Sequence, residues 1–372
     1  MRKLTPREME PGMILLDEVK TPIGQHLADA GEEVTRQLIN RMKLYKVEFA
    51  YVRDEITEKT NPEESNDTIS EESGNTASIK KHEREATESA RFHGFEMQYY
   101  MAIEKMKVVF QETLDQKKEI DTTDLLDSVS DLFRSRSTII ELFEMLYKMH
   151  SLSDSVYAHS LNVALISRMI GRWLHMDRHD LDNLTLAGLL HDIGKLTIPE
   201  EILNKTGSLT DEEFALIKSH PKRGYEILKN LSLNPRIKKS ALMHHERSDG
   251  SGYPNGLEDD FIDEYAMIIA IADVYDAMTA ARSYRAPLCP FQVIANFQRD
   301  GYQKYHTRYI LTFLNKIATT YQNSRVILND GRGAKIVMIN ANDLSNPIVQ
   351  FADNSCLDLS TEKDLYIQQV LA

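Results

Sequence analysis

The chain has 372 residues, 42% of them hydrophobic and 27% charged, enough apolar material for two or three domains with buried cores. Its net charge of -13 argues against a surface built for polymeric nucleic acid or anionic lipid, but leaves room for a small anion held by local cations. Cys289 and Cys356 are too few for a disulfide scaffold, and neither an apolar signal core nor a run of eighteen apolar residues occurs, so a cytoplasmic chain with no membrane span is expected.

Residues 1–55 read as a small mixed α/β module with an expected regulatory role. Met13–Leu16 and Glu18–Lys20 are strand candidates, Gly31–Leu44 has helical periodicity through Val34, Leu38, Ile39 and Met42, and Val47–Val52 alternates like a closing strand. Residues 56–80 are rich in Glu, Ser, Thr and Asn and too poor in large apolar side chains to offset ordering entropy, which predicts an acidic flexible linker. Residues 81–150 form a helical connector: Met97, Met101, Met106 and Val109 recur at helical spacing, as do Leu132, Ile139, Leu142 and Leu146, a pattern that suits core or the seam of a homodimer. Residues 151–322 carry the helices with chemistry, and residues 323–372 read as a small β appendage whose first two strands, Arg325–Leu328 and Ala334–Ile339, are joined by the turn Asn329–Gly333. A third strand follows at Pro347–Phe351.

The candidate metal ligands lie in the fourth segment. Leu184, Ala187, Gly188, His191 and Lys195 share one face of a predicted helix, with Gly194 as its stop and Asp192 about 100° around from His191. Asp273 interrupts the apolar run Ala266–Ala272, where an unpaired carboxylate would cost on the order of several kcal/mol. A bound cation removes that cost; a buried partner such as an arginine is the alternative. His220 precedes Pro221 and is placed at the end of a helix begun by the Thr210/Glu213 capping box, where it serves as either a ligand or a helix-dipole partner. His244 and His245 form a doublet ahead of the glycine-rich Asp249–Pro254, and His159 opens a further helix, where capping or core packing competes with ligation. Imidazoles with carboxylates suit Fe, Mn, Zn or Ni, and two such ions close together are a common device for cleaving phosphate esters.

Taken together, His191-Asp192-Ile-Gly194-Lys195, His220-Pro221-x-x-Gly224, His244-His245-Glu246, Asp249-Gly-Ser-Gly252-Tyr253-Pro254-x-Gly256 and Ile271-Ala-Asp273-x-Tyr275-Asp276-Ala277 resemble the HD-GYP family of bacterial cyclic di-GMP phosphodiesterases, over about residues 150–320. The resemblance implies a mainly α protein with an all-helical HD core. It also implies two divalent metals, Fe or Mn favoured over Ni or Zn, and cyclic di-GMP as substrate, cleaved by a metal-bridging hydroxide to pGpG with further cleavage to GMP left open. By position, His159, His191, Asp192 and Asp273 would hold one metal, and Asp192 would bridge to a second on His220, His244 and His245. Asp192 and Lys195 would serve catalysis, Gly252 and Tyr253 would cover the substrate, and Arg282 and Arg285 would grip phosphate or guanine. Members with a third metal carry an acid one turn before the first histidine; Ser155 stands there, which favours two. The rival readings are another cyclic dinucleotide or a phosphomonoester as substrate, and a non-catalytic scaffold.

Overall fold

A computed structural model describes residues 2–371 except 7, 11, 21–25, 36–37, 40–41, 44–46, 48, 55–74, 135–137, 151–154, 206, 281–286 and 363. Of the predicted linker, residues 56–74 lie outside the described residues, whereas 75–80 are helical. The chain divides into two compact units, Met1–Gly74 and Asn75–Ala372.

In the first unit β1 (Arg2–Leu4), β2 (Met13–Leu15) and β5 (Ala50–Asp54) form an antiparallel sheet in the order β1-β5-β2, and β3 (Val19–Lys20) pairs with β4 (His26–Ala28). Leu15, Val34, Met42 and Val52 form its buried centre. The helix expected from Gly31 starts later. Residues 32–34 run beside β2, where Val34 N donates to Met13 O and Leu15 N to Glu32 O. The Thr35 hydroxyl accepts from Leu38 N, so helical structure begins only after Thr35.

The second unit is mainly α. The helix α1 (Asn75–Gln116) is 42 residues long, about 63 Å at 1.5 Å per residue. It buries Phe95, Tyr99, Ala102, Ile103, Met106 and Phe110 on one stripe and exposes Met97, Met101 and Val108 on another, so the predicted methionine series is split between two faces. Then come α2 (Thr122–Arg134), α3 (Ile139–His150), α4 (Val156–Trp173), α5 (Arg178–Leu190), a 3₁₀ turn (Ile193–Thr197) and α6 (Glu200–Leu203). The series continues with α7 (Asp211–Lys218), α8 (His220–Leu228), α9 (Pro235–Met243), α10 (Glu264–Thr279), α11 (Pro290–Asp300) and α12 (Thr307–Thr320). Leu132, Leu142 and Leu146 are core residues, and Trp173 stacks on Phe143.

The C-terminal sheet has five antiparallel strands in the order β10-β6-β7-β8-β9: β6 (Arg325–Leu328), β7 (Gly333–Met338), β8 (Ile348–Gln350), β9 (Cys356–Asp358) and β10 (Ile367–Leu371). Three of these were expected, together with the β6–β7 hairpin, in which Gly331 takes φ +88 and Leu328 N donates to Arg332 O. Strands β9 and β10 were not. No helix among the described residues is long and apolar enough to cross a membrane.

Candidate metal centre

Five chain segments meet at one point. Ser155 caps α4 by accepting from Ala158 N, which places His159 in the first turn. Helix α5 stops at Leu190, earlier than predicted, so His191 is its C-cap, Asp192 is the next residue, and Lys195 lies in the 3₁₀ turn. Gly194 is therefore not a helix stop. A Cβ there would sit 2.1 Å from His220 O and 2.6 Å from Gly224 N, so glycine is what lets this turn press against the start of α8. His220 does not end a helix; Pro221 in the first turn of α8 needs no amide hydrogen there, and His220 opens that helix. His244 caps α9, His245 follows it, and Asp273 projects from α10.

His191, Asp192, His220 and His244 are 0%, 1%, 1% and 0% exposed, and Asp273 is 7% exposed. Their backbone surroundings decide which imidazole nitrogen is left over. Nδ1 of His191 donates to Gly188 O, Nδ1 of His220 to Ile217 O, and Nδ1 of His244 to the carbonyls of Ser240 and Ala241. With Nδ1 committed as donor, Nε2 of each neutral ring presents a lone pair inward. Nε2 of His220 lies 3.1 Å from Nε2 of His244, and both are near Asp192 Oδ1, at 3.2 and 3.6 Å. The other oxygen, Oδ2, is 3.5 Å from His159 Nε2 and 3.4 Å from His191 Nε2. Asp273 Oδ1 is 3.0 Å from His159 Nε2, and its Oδ2 is 3.8 Å from His245 Nδ1.

Two facing nitrogen lone pairs repel unless a proton or cation lies between them. Nε2 of His191 and Oδ1 of Asp192 are buried with no hydrogen-bond partner and adjoin these lone pairs, which points the same way. The donor atoms fall into two groups able to hold metal ions, Asp192/His220/His244/His245 and His159/His191/Asp273, and Asp192 turns one oxygen to each. This nitrogen and oxygen set fits first-row divalent ions.

Charge within the pocket is strongly perturbed in the metal-free chain. Burial pulls the His244 pKa down to about 4 and holds His245 well below the usual range. Burial also lowers His159, but hydrogen bonds to Asp273 and Asp276 outweigh it and push its pKa up to about 10. Burial raises Asp192, yet Lys195 and His191 outweigh that and keep its carboxyl well below 3.8. Lys195 Nζ is 2.6 Å from Asp192 Oδ2.

The loop after the doublet is fastened to it. Tyr253 N donates to His245 O, and its ring stacks on His245 with centroids 4.7 Å apart. The Tyr253–Pro254 peptide is cis. A Cβ on Gly252 would lie 2.4 Å from Glu246 Cα, so only glycine lets the loop fold back on the doublet. Lys218, exposed on α7, places Nζ 4.9 Å above the Tyr253 ring and 5.1 Å from the Phe214 ring.

The seven residues expected as metal ligands thus converge, with Lys195, Gly252 and Tyr253 beside them. Arg282 and Arg285 lie outside the described residues. Three contributors went unassigned in the sequence reading. Asp276 accepts from His159 Nδ1 at 2.7 Å and orients that ring. Glu246, 2% exposed, accepts from Asn255 N and Leu257 N and anchors the loop. Lys218 forms a cationic rim. The first two stand inside the motifs, Glu246 directly after the histidine doublet and Asp276 three residues after Asp273 on the same helix, and that was the available signal; Lys218 had none.

Residues 124–308 match the family described as HD domain. A cyclic di-GMP phosphodiesterase of Pseudomonas aeruginosa is 37% identical over 165 residues, covering 44% of this chain and 39% of that protein. The 3′3′-cGAMP-specific phosphodiesterase 2 of Vibrio cholerae is 38% identical over 161 residues, covering 42% of this chain and 31% of that one. The matched stretch spans less than half the length of either relative. An HDG"Y"P protein from Bdellovibrio bacteriovorus shares the fold with a TM-score of 0.52 at 16% identity, over 86% of this chain and 99% of that one.

Proposed function

We propose that the chain, whose residues 124–308 match the HD domain family, is a metal-dependent phosphodiesterase hydrolysing cyclic di-GMP to pGpG, with GMP as a further product. The observation that carries this reading is the division of Asp192, with Oδ1 facing His220 and His244 and Oδ2 facing His159 and His191. Two divalent cations, iron or manganese favoured, would supply an activated water and offset phosphate charge. The imidazoles of His159, His191, His220, His244 and His245, with Asp192 and Asp273, would hold these ions. Asp276 keeps His159 in the tautomer that ligates. Lys195 offsets the charge of Asp192 and would be available to a phosphate oxygen of the substrate. Tyr253 covers the site, Glu246 fixes the loop that carries it, and Lys218 adds a positive rim for a dianionic substrate despite the acidic chain. Ser155, used as a helix cap where a third-metal acid would stand, favours two ions.

The 3′3′-cGAMP-specific relative motivates one second reading, a different cyclic dinucleotide on the same machinery. Protein purified without oxygen, analysed for metal and assayed on both dinucleotides, separates them: two ions per chain with faster cleavage of cyclic di-GMP is the expected result. Faster cleavage of 3′3′-cGAMP selects the second reading. Full metal loading with neither cleaved, or no metal at all, rejects both. The same proposal assigns Met1–Gly74 a regulatory role and the outer face of α1, with Met97 and Met101, a homodimer seam. Unchanged rate and mass on deleting residues 1–74 would count against the first, and an unchanged mass for Met101→Glu against the second.

A further inference from the structure

His159 is held from two sides. Its Nε2 faces Asp273 and the metal positions, and its Nδ1 faces Asp276. Asp276 also lines a cavity of about 250 Å³ enclosed by α3, α4, α10, α11 and β10. None of the seven expected ligand residues borders it, so it is a separate space, joined to the metal centre through the Asp276–His159 hydrogen bond.

The lining has a definite chemical character. Phe143, Tyr275 and Tyr321 supply aromatic surface, each 4% exposed. Thr279 Oγ1 donates to Tyr275 O, which leaves its oxygen lone pairs as acceptors, and the Gln368 amide at the β10 edge offers both a donor and an acceptor. At about 30 Å³ per water the cavity equals the volume of about eight waters, enough for a fused two-ring heterocycle. Asp276 is the fully buried charge on its wall and is hydrogen-bonded to His159, while the half-buried Glu144 adds a second carboxylate and Lys148 is exposed at the margin. An anion would be repelled by the Asp276 carboxylate, and a cation would compete with His159 for it. A neutral planar ligand meets neither difficulty. The Cys289 thiol on the wall, its pKa pushed up to about 11 by burial, adds only a polarisable apolar surface.

We propose that this cavity binds a neutral planar heteroaromatic molecule of one or two rings, a free nucleobase being the simplest example, and that occupancy acts on the metal centre through Asp276 and His159. A ligand packed against Asp276 biases the position of the carboxylate that orients His159, and hence the cation bound beyond it. Coupling of this kind is reciprocal, so metal loading changes ligand affinity by the same factor. The inference goes beyond the proposed reaction and does not depend on which dinucleotide is cleaved.

The test uses the metal-loaded full chain titrated with 2-aminopurine as free base, excited beyond the tryptophan band. Saturable quenching that guanine or adenine reverses is expected. Val370→Trp, on the half-buried lip formed by β10, should weaken binding at least tenfold with melting temperature and metal content unchanged. Thr279→Val, which removes the hydroxyl at nearly constant volume, should weaken it several-fold and serves should the tryptophan variant fold poorly. Saturating 2-aminopurine should also change the rate of metal release to a chelator at least threefold, a readout that needs no turnover. Absence of saturable quenching, or equal binding by both variants and the parent chain, overturns the site. Binding with an unchanged release rate overturns the coupling.

Discussion

The C-terminal sheet and the helical core around α10 both bury aliphatic side chains completely, but they differ in what else they bury. In the sheet, Val326, Leu328, Ile336 and Val349 are 0% exposed, and the alternating, less buried positions mix polar Arg325, Lys335 and Gln350 with Ile327, Val337 and Ile348. Around α10, Ile268, Ile269 and Ile271 are equally buried, yet Asp273 and Asp276 project from the same helix into a nest of imidazoles. Apolar burial stabilises the sheet by about 25 cal/mol per Å² whatever is bound elsewhere. The core instead holds carboxylates and facing lone pairs, whose burial is unfavourable until a cation satisfies them. Stability is therefore independent of bound cations in the sheet and tied to them in the core.

The sharpest way to break this contrast is Asp192→Asn, which keeps the volume and removes the charge shared between the two ligand groups. Metal content should fall by at least one ion per chain and turnover by a factor of about 10³ or more, as read by elemental analysis and chromatography. Full-rate cleavage by this variant would end the metal assignment.

Chelation asks the same question of stability. Removing ions held at a thousandfold over their Kd should cost about 4 kcal/mol, with hydrogen exchange accelerating in α4, α5 and α10 but not in β6–β8. Equal acceleration in the sheet would erase the distinction. The metal-free chain should then show a pH signature. His159 has its pKa raised from 6.5 to about 10 in the folded state, so its contribution is fully present below about pH 6.5 and is lost as pH rises towards 10. The lowered pKa of Asp192 works in the opposite sense: its contribution is present above pH 3.8 and lost as pH falls through the folded value. Melting temperature against pH checks both.

Leu328→Ala sharpens the comparison from the sheet side. A loss of about 3 kcal/mol in unfolding free energy is expected, with metal content and turnover per folded molecule unchanged. Lys218→Ala should have the smallest effect, raising KM about three- to tenfold and weakening the salt dependence of KM, with kcat and metal content nearly constant. A loss of kcat as large as the rise in KM would move Lys218 from substrate capture into the chemistry.

How much of this was legible in the chain depended on whether the reason for a residue was local. Asp273 stood out because it interrupts Ala266–Ala272, and the His244-His245 doublet because a glycine-rich loop follows it. The hairpin at Asn329–Gly333 announced itself through turn chemistry. Gly194 was misread as a helix stop because the constraint on it comes from His220, 26 residues further along, which no local pattern reveals. Asp276 and Glu246 were visible as residues but not as roles, since their partners are a ring 117 positions away and amides across a folded loop. Strands β9 and β10 escaped notice because Cys356–Asp358 is only three residues long and Gln368–Gln369 interrupts the apolar pattern of the other.

Sequence alone determined the inventory: which imidazoles and carboxylates the chain owns, where helices place them in register, and the HD-type family they resemble. Periodicity and residue chemistry act over a few positions, and these features are written at that scale. The tertiary structure decided which oxygen of Asp192 faces which histidines, which nitrogen of each ring is spent on a backbone carbonyl, and that a cavity backs onto Asp276. Those outcomes depend on the meeting of α4, α5, α8, α9 and α10 in space, where ångström differences choose between a ligand, a cap and a buried liability.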